Sequence, residues 1–95
     1  MTWEQKLAAL KSLTETHLKM REPGNWYVSA HAREVQDGCV LSSSYGNGAT
    51  PEEAVEDDFR KMTAVKYPKA IVVNYRGTRE KRVRWNGFMW ESVND

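Results

Sequence analysis

The stretch that decides the fold is TPEEAVEDDFRKMTAV, residues 50–65. It predicts a helix, because Thr50 suits the N-cap, Pro51 suits the first helical position, and the next two glutamates complement the positive end of the helix dipole. Apolar residues recur at helical spacing and predict its buried face: Ala54, Val55, Phe59, Met62 and Val65. Two oppositely charged pairs at i,i+4 spacing support the same helix: Glu56 with Arg60, and Asp57 with Lys61. We expect Pro68 to end it.

The residues before this helix predict a β-hairpin and then a loop. Residues 25–35 alternate in polarity, with one apolar face formed by Trp26, Val28, Ala30 and Ala32. Asp37-Gly38 is a dipeptide typical of tight turns. A two-residue turn there pairs Gln36 with Cys39 and places Cys39 and Leu41 on the inward, apolar face. The glycine-rich residues 42–49 are expected to form a loop.

An N-terminal helix is predicted from Thr2. Thr2 and Gln5 have the spacing of a capping box, in which each side chain satisfies the backbone N–H of the other residue. One side of the segment is apolar, through Trp3, Leu7, Leu10, Leu13 and Leu18. We expect Pro23-Gly24 to stop this helix near Arg21.

The C-terminal third predicts β-structure. Residues 70–75 are rich in β-branched side chains, and residues 80–85 and 88–93 flank Asn86-Gly87, the strongest short hairpin signal. A two-residue turn pairs Trp85 with Phe88. The face expected to be buried then carries Val83, Trp85, Phe88 and Trp90. The opposite face carries Arg82, Arg84, Met89, Glu91 and Val93.

These elements predict a single small α+β domain over residues 1–95, in the order α-β-β-α-β-β-β, with two helices packed on one face of an antiparallel sheet. Ninety-five residues allow one modest core. No purely apolar run is longer than Ala70–Val73, which is far short of the ~20 residues that a membrane-spanning helix needs, and no signal peptide is recognised. A single cysteine, Cys39, favours a reducing, cytoplasmic setting.

No residue pattern predicts an enzyme. A Cys–His nucleophile would need Cys39 beside His17 or His31, but Cys39 is expected to be buried. The carboxylates that open the second helix lack the spacing of a calcium loop. Residues 44–50 lack the lysine of a phosphate-binding loop. We therefore expect no catalytic residue, no metal and no cofactor.

Charge is distributed unevenly along the chain, although the net charge is only +1. Residues 51–62 sum to −3 and residues 66–85 to +6, and such asymmetry bears on partners rather than on the fold. Two candidate surfaces follow. The basic hairpin comprises Arg76, Arg79, Lys81, Arg82 and Arg84. The acidic helix comprises Glu52, Glu53, Glu56 and Asp57. Tyr75 and Trp85 are interleaved with the basic residues and could stack on nucleic-acid bases.

The segment from the first hairpin into the second helix carries a G-x-T-x-E-E-A corner at residues 48–54. The stretch from Trp26 to Met62, about a third of the chain, resembles the sheet-to-helix corner of HicB-type antitoxins and many short phage and prophage accessory proteins. The chain departs from HicB because it has no P-D-L-P-G-C segment and because a helix precedes its hairpin, so the antitoxin function does not carry over. The phage-like resemblance implies a small inhibitor of host machinery.

Three hypotheses for function follow. The first is a small non-enzymatic binding module, a phage-type inhibitor of a host protein or nucleoprotein complex, which acts through the acidic helix and the basic hairpin. The alternative is a nucleic-acid-binding protein that uses residues 76–85. The third is a small-ligand or nucleotide-binding protein with a pocket lined by tryptophan and tyrosine, although these tryptophans are more simply core. A homodimer that pairs through an exposed strand edge also remains open.

Overall fold

The computed structural model describes residues 1–75 and 77–94, and two helices and eight strands lie within them. Helix α1 spans Trp3–Lys11 and helix α2 spans Pro51–Thr63. The strands are β1 (Thr16–Glu22), β2 (Asn25–Ala30), β3 (Arg33–Asp37), β4 (Val40–Ser42), β5 (Gly46–Gly48), β6 (Ala70–Val73), β7 (Lys81–Trp85) and β8 (Trp90–Ser92).

The strands form two antiparallel sheets rather than one. The smaller sheet has the order β1-β2-β5, and the larger sheet has the order β4-β3-β6-β7-β8. The predicted α+β class is confirmed, and the predicted order of elements holds roughly. Strands β1 and β5 were not predicted, and the single strand predicted over residues 25–35 is divided into β2 and β3.

Helix α2 is built as predicted. The Thr50 hydroxyl accepts a hydrogen bond from the Glu53 N–H at 3.1 Å, and Pro51 is the first helical residue. All five predicted core residues of this segment are buried: Ala54, Val55, Phe59, Met62 and Val65. The helix ends at Thr63, well before Pro68. The predicted Glu56–Arg60 pair does not form, since Glu56 pairs with Lys6 and Arg60 with Asp57.

Helix α1 is shorter than predicted. Its capping box is present: the Gln5 N–H donates to the Thr2 hydroxyl oxygen, and the Thr2 N–H donates to Gln5 Oε1. The helix ends at Lys11, and the following segment is strand β1, in which Leu18 pairs with Val28. Pro23-Gly24 is therefore the turn of a hairpin and not a helix stop. Gly24 adopts a φ of 77°, which a glycine in such a turn tolerates.

The predicted strand over residues 25–35 is broken at His31-Ala32. Ala32 has a φ of 51°, a left-handed backbone that interrupts the strand, so β2 and β3 join different sheets. The inward-facing positions therefore change from even-numbered in β2, as at Val28, to odd-numbered in β3, as at Arg33 and Val35. The apolar face predicted to run from Trp26 through Ala32 does not exist as one surface.

The hairpin after this break has a different turn from the predicted one. Gln36 pairs with Leu41 and Asp37 with Val40, so the two turn residues are Gly38 and Cys39. Cys39 is exposed, and Leu41 is 40% exposed. The prediction that both residues face inward was wrong, because Cys39 lies in the turn and Leu41 shares a face with its partner Gln36, whereas Arg33 and Val35 form the inward face of β3.

Residues 46–48 form strand β5 instead of the predicted loop. Their glycines allow this strand to lie directly against α2. A Cβ at Gly46 would stand 2.2 Å from the Ala54 carbonyl oxygen, and one at Gly48 would stand 2.5 Å from Glu53 Cβ. The two glycines are therefore a packing requirement of the sheet–helix contact.

The last hairpin also has a different register. Trp85 pairs with Trp90 and Arg84 with Glu91, so Phe88 is not the partner of Trp85. Residues 86–89 form a four-residue loop. Val83 is buried, and Trp85 and Trp90 pack against the core as predicted. Phe88, which the sequence placed in the core, is 90% exposed.

One core joins both sheets and both helices. Its buried members are Leu10, Leu13, Val28, Ala54, Val55, Phe59, Met62, Val65, Ile71, Val73 and Val83. Trp3, Trp26, Trp85 and Trp90 are partly buried against it. Within the described part of the chain, neither helix has the length and apolar character needed to cross a bilayer.

Candidate functional site

The basic hairpin is only partly available to a partner. Arg82 Nε donates to Gln36 Oε1 at 2.8 Å, and its guanidinium pairs with Glu80 at 3.1 Å. Arg84 donates to the Lys69 carbonyl oxygen, and its guanidinium lies 5.4 Å from the centre of the Tyr67 ring.

Two members of the basic hairpin stay accessible. Arg79 and Lys81 are exposed. Arg76 lies outside the described residues. The Trp85 ring packs edge-on against Phe59 and Trp90, with centroid distances of 5.3 and 4.8 Å, so it is already in contact with other rings. The predicted stacking surface is therefore not formed by Trp85.

The acidic helix uses most of its carboxylates to hold the fold. Glu53 accepts a hydrogen bond from the Ala49 N–H at 2.9 Å, and Glu56 pairs with Lys6. Asp57 accepts from the Asn47 N–H at 3.0 Å and pairs with two basic side chains of its own helix. Glu52 is exposed. An open groove of 990 Å³ runs along this side of α2, and three of the four carboxylates in its lining already have partners.

Two adjacent carboxyls of α2 have pKa values shifted in opposite directions. Burial favours the neutral acid of Asp57, but the Asn47 N–H, Lys61 and Arg60 together lower its pKa below the ordinary value. Asp58 is fully buried, and removal from water raises its pKa despite the Arg33 guanidinium 2.7 Å away. Asp58 Oδ1 and Arg33 Nη1 are buried without a hydrogen-bond partner within the described residues.

The Arg33–Asp58 pair links the larger sheet to α2. The alternating pattern of residues 25–35 predicts Arg33 on the face opposite Trp26 and Val28, exposed to solvent. The break at Ala32 turns its side chain inward. Local sequence holds no signal for this pair, because it depends on a contact across 25 positions of the chain.

An apolar cup opens between the end of α1 and the β7–β8 loop. We define the apolar cup by Met1, Leu13, Trp85, Phe88, Met89 and Trp90, with Lys81 also in its lining. Its volume is 390 Å³, which is within the range of ligand-sized pockets. Met1 is 63% exposed and Met89 60% exposed, beside the 90% exposed Phe88. Three large apolar side chains thus meet solvent at one place.

The loop that presents Phe88 is held by its own hydrogen bonds. The Asn86 side-chain oxygen accepts from the N–H groups of Phe88 and Met89 at 2.8 and 2.9 Å. The Asn86 N–H donates to the Met89 carbonyl oxygen at 3.0 Å. The outward position of Phe88 is therefore fixed by the backbone of the loop.

The wall of the cup opposite this loop is also fixed. Trp90 Nε1 donates to the Ala9 carbonyl oxygen at 3.0 Å, which ties β8 to the last turn of α1. The sequence did not reveal the cup, because a two-residue Asn-Gly turn placed Phe88 inside and Met89 outside. The available signal was Asn86, whose side chain can organise a longer turn.

Comparisons of the chain with protein-family models, curated proteins and solved structures found no significant match. Over residues 1–75 and 77–94, no three histidine, cysteine or acidic side chains converge in a way that could hold a metal ion. What the geometry defines is a small α+β domain with a preformed apolar cup.

Proposed function

We propose that this chain is a small non-enzymatic binding module that captures a partner protein through the apolar cup. The observation that carries the proposal is the 90% exposure of Phe88 on a loop fixed by Asn86. Large apolar side chains exposed together, as Phe88, Met89 and Met1 are around the cup, mark an interaction site, and buried aromatic anchors dominate the energetics of protein interfaces.

The cup is built for close packing against a partner at a low cost in conformational entropy. Because the Asn86 hydrogen bonds already hold the loop, the binding of a partner would carry only a small entropic cost for ordering Phe88 and Met89. Trp85 and Trp90 provide a floor packed against the core. Methionine side chains adapt their shape to a partner, so Met1 and Met89 can fill gaps around the rigid rings.

This proposal keeps the binding module predicted from the sequence but moves its contact surface. Three carboxylates of the acidic helix, and Arg82 and Arg84 of the basic hairpin, are engaged within the fold, whereas Lys81 lies in the lining of the cup. Inhibition of a host protein or nucleoprotein complex, as the phage-like resemblance implies, is the biological form that such capture would take.

Nucleic-acid binding has less support from the geometry. Its strongest remaining feature is Tyr67, which is 76% exposed and lies beside the Arg84 guanidinium. Lys66 and Lys69, near Tyr67 in the sequence, are exposed, and Lys69 lies 3.8 Å from the Asp37 carboxylate. Salt-dependent binding of single-stranded DNA or RNA, lost in Tyr67→Ala, would promote this alternative.

The test of the protein-binding proposal is site-specific photocrosslinking in cells of the native host. A photoreactive phenylalanine analogue is placed at position 88 of the full chain. The matched control carries it at position 40, since Val40 is 61% exposed at the opposite edge of the larger sheet. We expect a discrete protein adduct from position 88 that is absent from position 40.

Two further results complete this test. Phe88→Ser removes an exposed ring and should leave thermal stability nearly unchanged. When the wild-type chain is expressed as a competitor, it should reduce the amount of adduct formed from position 88, whereas the Phe88→Ser chain should not. If position 88 yields no adduct beyond that of position 40, the apolar cup is not a protein-binding site.

A further inference from the structure

We infer that the partner of the apolar cup presents apolar side chains together with a carboxylate, on one short acidic segment of its chain. This inference rests on the proposed function, because it names the chemistry of the partner that the cup would take. It is carried by the charge of the lining and not by the exposure of Phe88 alone.

The lining of the cup is apolar and cationic. Among the side chains of the described residues that form it, that of Lys81 is the ionisable one, and no carboxylate is present. Lys81 is exposed, and its ammonium group makes no hydrogen bond or ion pair with the described part of the chain. Arg79, two positions before it, is exposed in the same way. A partner carboxylate would therefore find a cation that has no competing partner.

The Ala9 carbonyl oxygen, at the α1 wall, is not a free acceptor that could offset this positive charge. The carbonyl oxygen of Ala9 accepts from Ser12 Oγ at 2.6 Å and from Trp90 Nε1 at 3.0 Å. Since a carbonyl oxygen has two lone pairs, both are in use. A basic partner group would thus meet Lys81 and gain no hydrogen bond from Ala9.

A second copy of this chain fits the cup poorly. A two-fold contact centred on the cup would place each Lys81 near the Lys81 of the other copy, because such an interface brings the same patch of both subunits together. The lining described above holds no carboxylate to separate these cations. Like charges in apolar surroundings oppose association, so charge complementarity selects an acidic partner segment.

The experiment is a selection of displayed random peptides on the immobilised full chain, with removal of peptides that also bind Phe88→Ser. We expect the remaining peptides to combine leucine or aromatic residues with aspartate or glutamate. A parallel selection on Lys81→Glu should enrich lysine and arginine in place of the acids. Lys19→Glu is the matched control, since Lys19 is an exposed cation on the smaller sheet, and should keep the acidic preference.

Affinities of the best selected peptide then give the size of the effect, with Trp85 and Trp90 fluorescence as the signal. We expect Lys81→Gln to weaken binding about two- to fivefold, the range of one exposed charge pair. Replacing the peptide's carboxylates by lysine should restore binding to Lys81→Glu.

The outcomes separate this inference from the proposed function. Phe88-dependent peptides without an acidic preference, or with the same preference on Lys81→Glu, would overturn the acidic-partner inference and leave the cup as a protein-binding site. A selection that yields no Phe88-dependent peptide would remove the cup as a binding site altogether. Self-association of the chain that depends on Phe88 would also overturn the inference, because the partner of the cup would then be a second copy of this chain and not an acidic segment.

Discussion

Gly46 and Gly48 determine how closely the smaller sheet approaches α2. A methyl group at Gly46 would lie within 2.8 Å of the Asp58 backbone nitrogen and 2.6 Å from Asp58 Cβ. Because these neighbours belong to the helix backbone and its first side-chain atom, the sheet would have to move. We expect Gly46→Ala to lower the free energy of unfolding by about 1–3 kcal/mol, the usual cost of overpacking. Urea denaturation measures this change.

Asn47 supplies the control for the glycine prediction. It lies between the two glycines, its side chain is exposed, and its backbone N–H to Asp57 survives substitution. Asn47→Ala should change stability by no more than about 0.5 kcal/mol, as is usual for surface positions. Equal stability of the Gly46 and Asn47 variants would contradict the close approach.

The buried Arg33–Asp58 pair gives a second prediction at this scale. Asp58→Asn leaves the Arg33 charge without a counter-ion in a site where both side chains are at most 1% exposed. We expect this variant to lose about 3–5 kcal/mol of stability. The double variant Arg33→Met, Asp58→Leu removes both charges and should recover most of that loss. Thermal and urea unfolding decide the matter, and a double variant no more stable than the single one would argue against an uncompensated charge as the cause.

The helices and strands differ in how much of their structure the sequence could predict. Helix α2 was predicted because its signals, Thr50 and Pro51, act within one turn of the chain. Strand β1 was missed because Leu13 and Leu18 extend the apolar pattern of α1, while the pairing of Leu18 with Val28 that makes it a strand is non-local. The cup was missed for a similar reason, since one change of turn length at Asn86 moved Phe88 from the core to the surface.

The carboxylates of α2 also predict a pH dependence that belongs to this element. The pKa of Asp57 is lowered in the folded chain, so the stability it contributes is present above its unfolded pKa, ordinarily 3.8, and is lost as the pH falls through the folded pKa. Asp57→Asn removes the pairs to Arg60 and Lys61 and should cost about 1 kcal/mol at neutral pH.

Urea denaturation across pH checks the sign of this contribution. The difference between wild type and Asp57→Asn should shrink as the pH is lowered below about 4, where the wild-type carboxyl begins to protonate. Glu52→Gln, at an exposed position in the first turn of the same helix, removes a carboxylate that makes no ion pair within the described residues and should show a smaller difference, set by the helix dipole alone. A gap for Asp57→Asn that widens in acid would mean that the ion pairs do not stabilise the helix.

The whole molecule is predicted to unfold as one unit although it contains two sheets. The buried cluster includes Val28 from the smaller sheet and Ile71 from the larger one, with α2 between them. Met62, in the last turn of this helix, is 1% exposed. Since both sheets bury their apolar faces against the same helix, neither retains a core when the other separates.

Native-state hydrogen exchange tests this cooperativity. The amides of Val28 and Ile71 should exchange with the same free energy of opening, equal to that of global unfolding. Met62→Ala should lower both values together by about 2–5 kcal/mol, because it leaves a cavity that both sheets share. If the substitution lowered the opening free energy of one sheet and left the other unchanged, the sheets would be separate folding units, and α2 would belong to only one of them. Equal shifts would instead mean that α2 is the common support of both sheets, so that the packing of Phe59 against Trp85 and Trp90 couples the apolar cup to the stability of the whole domain.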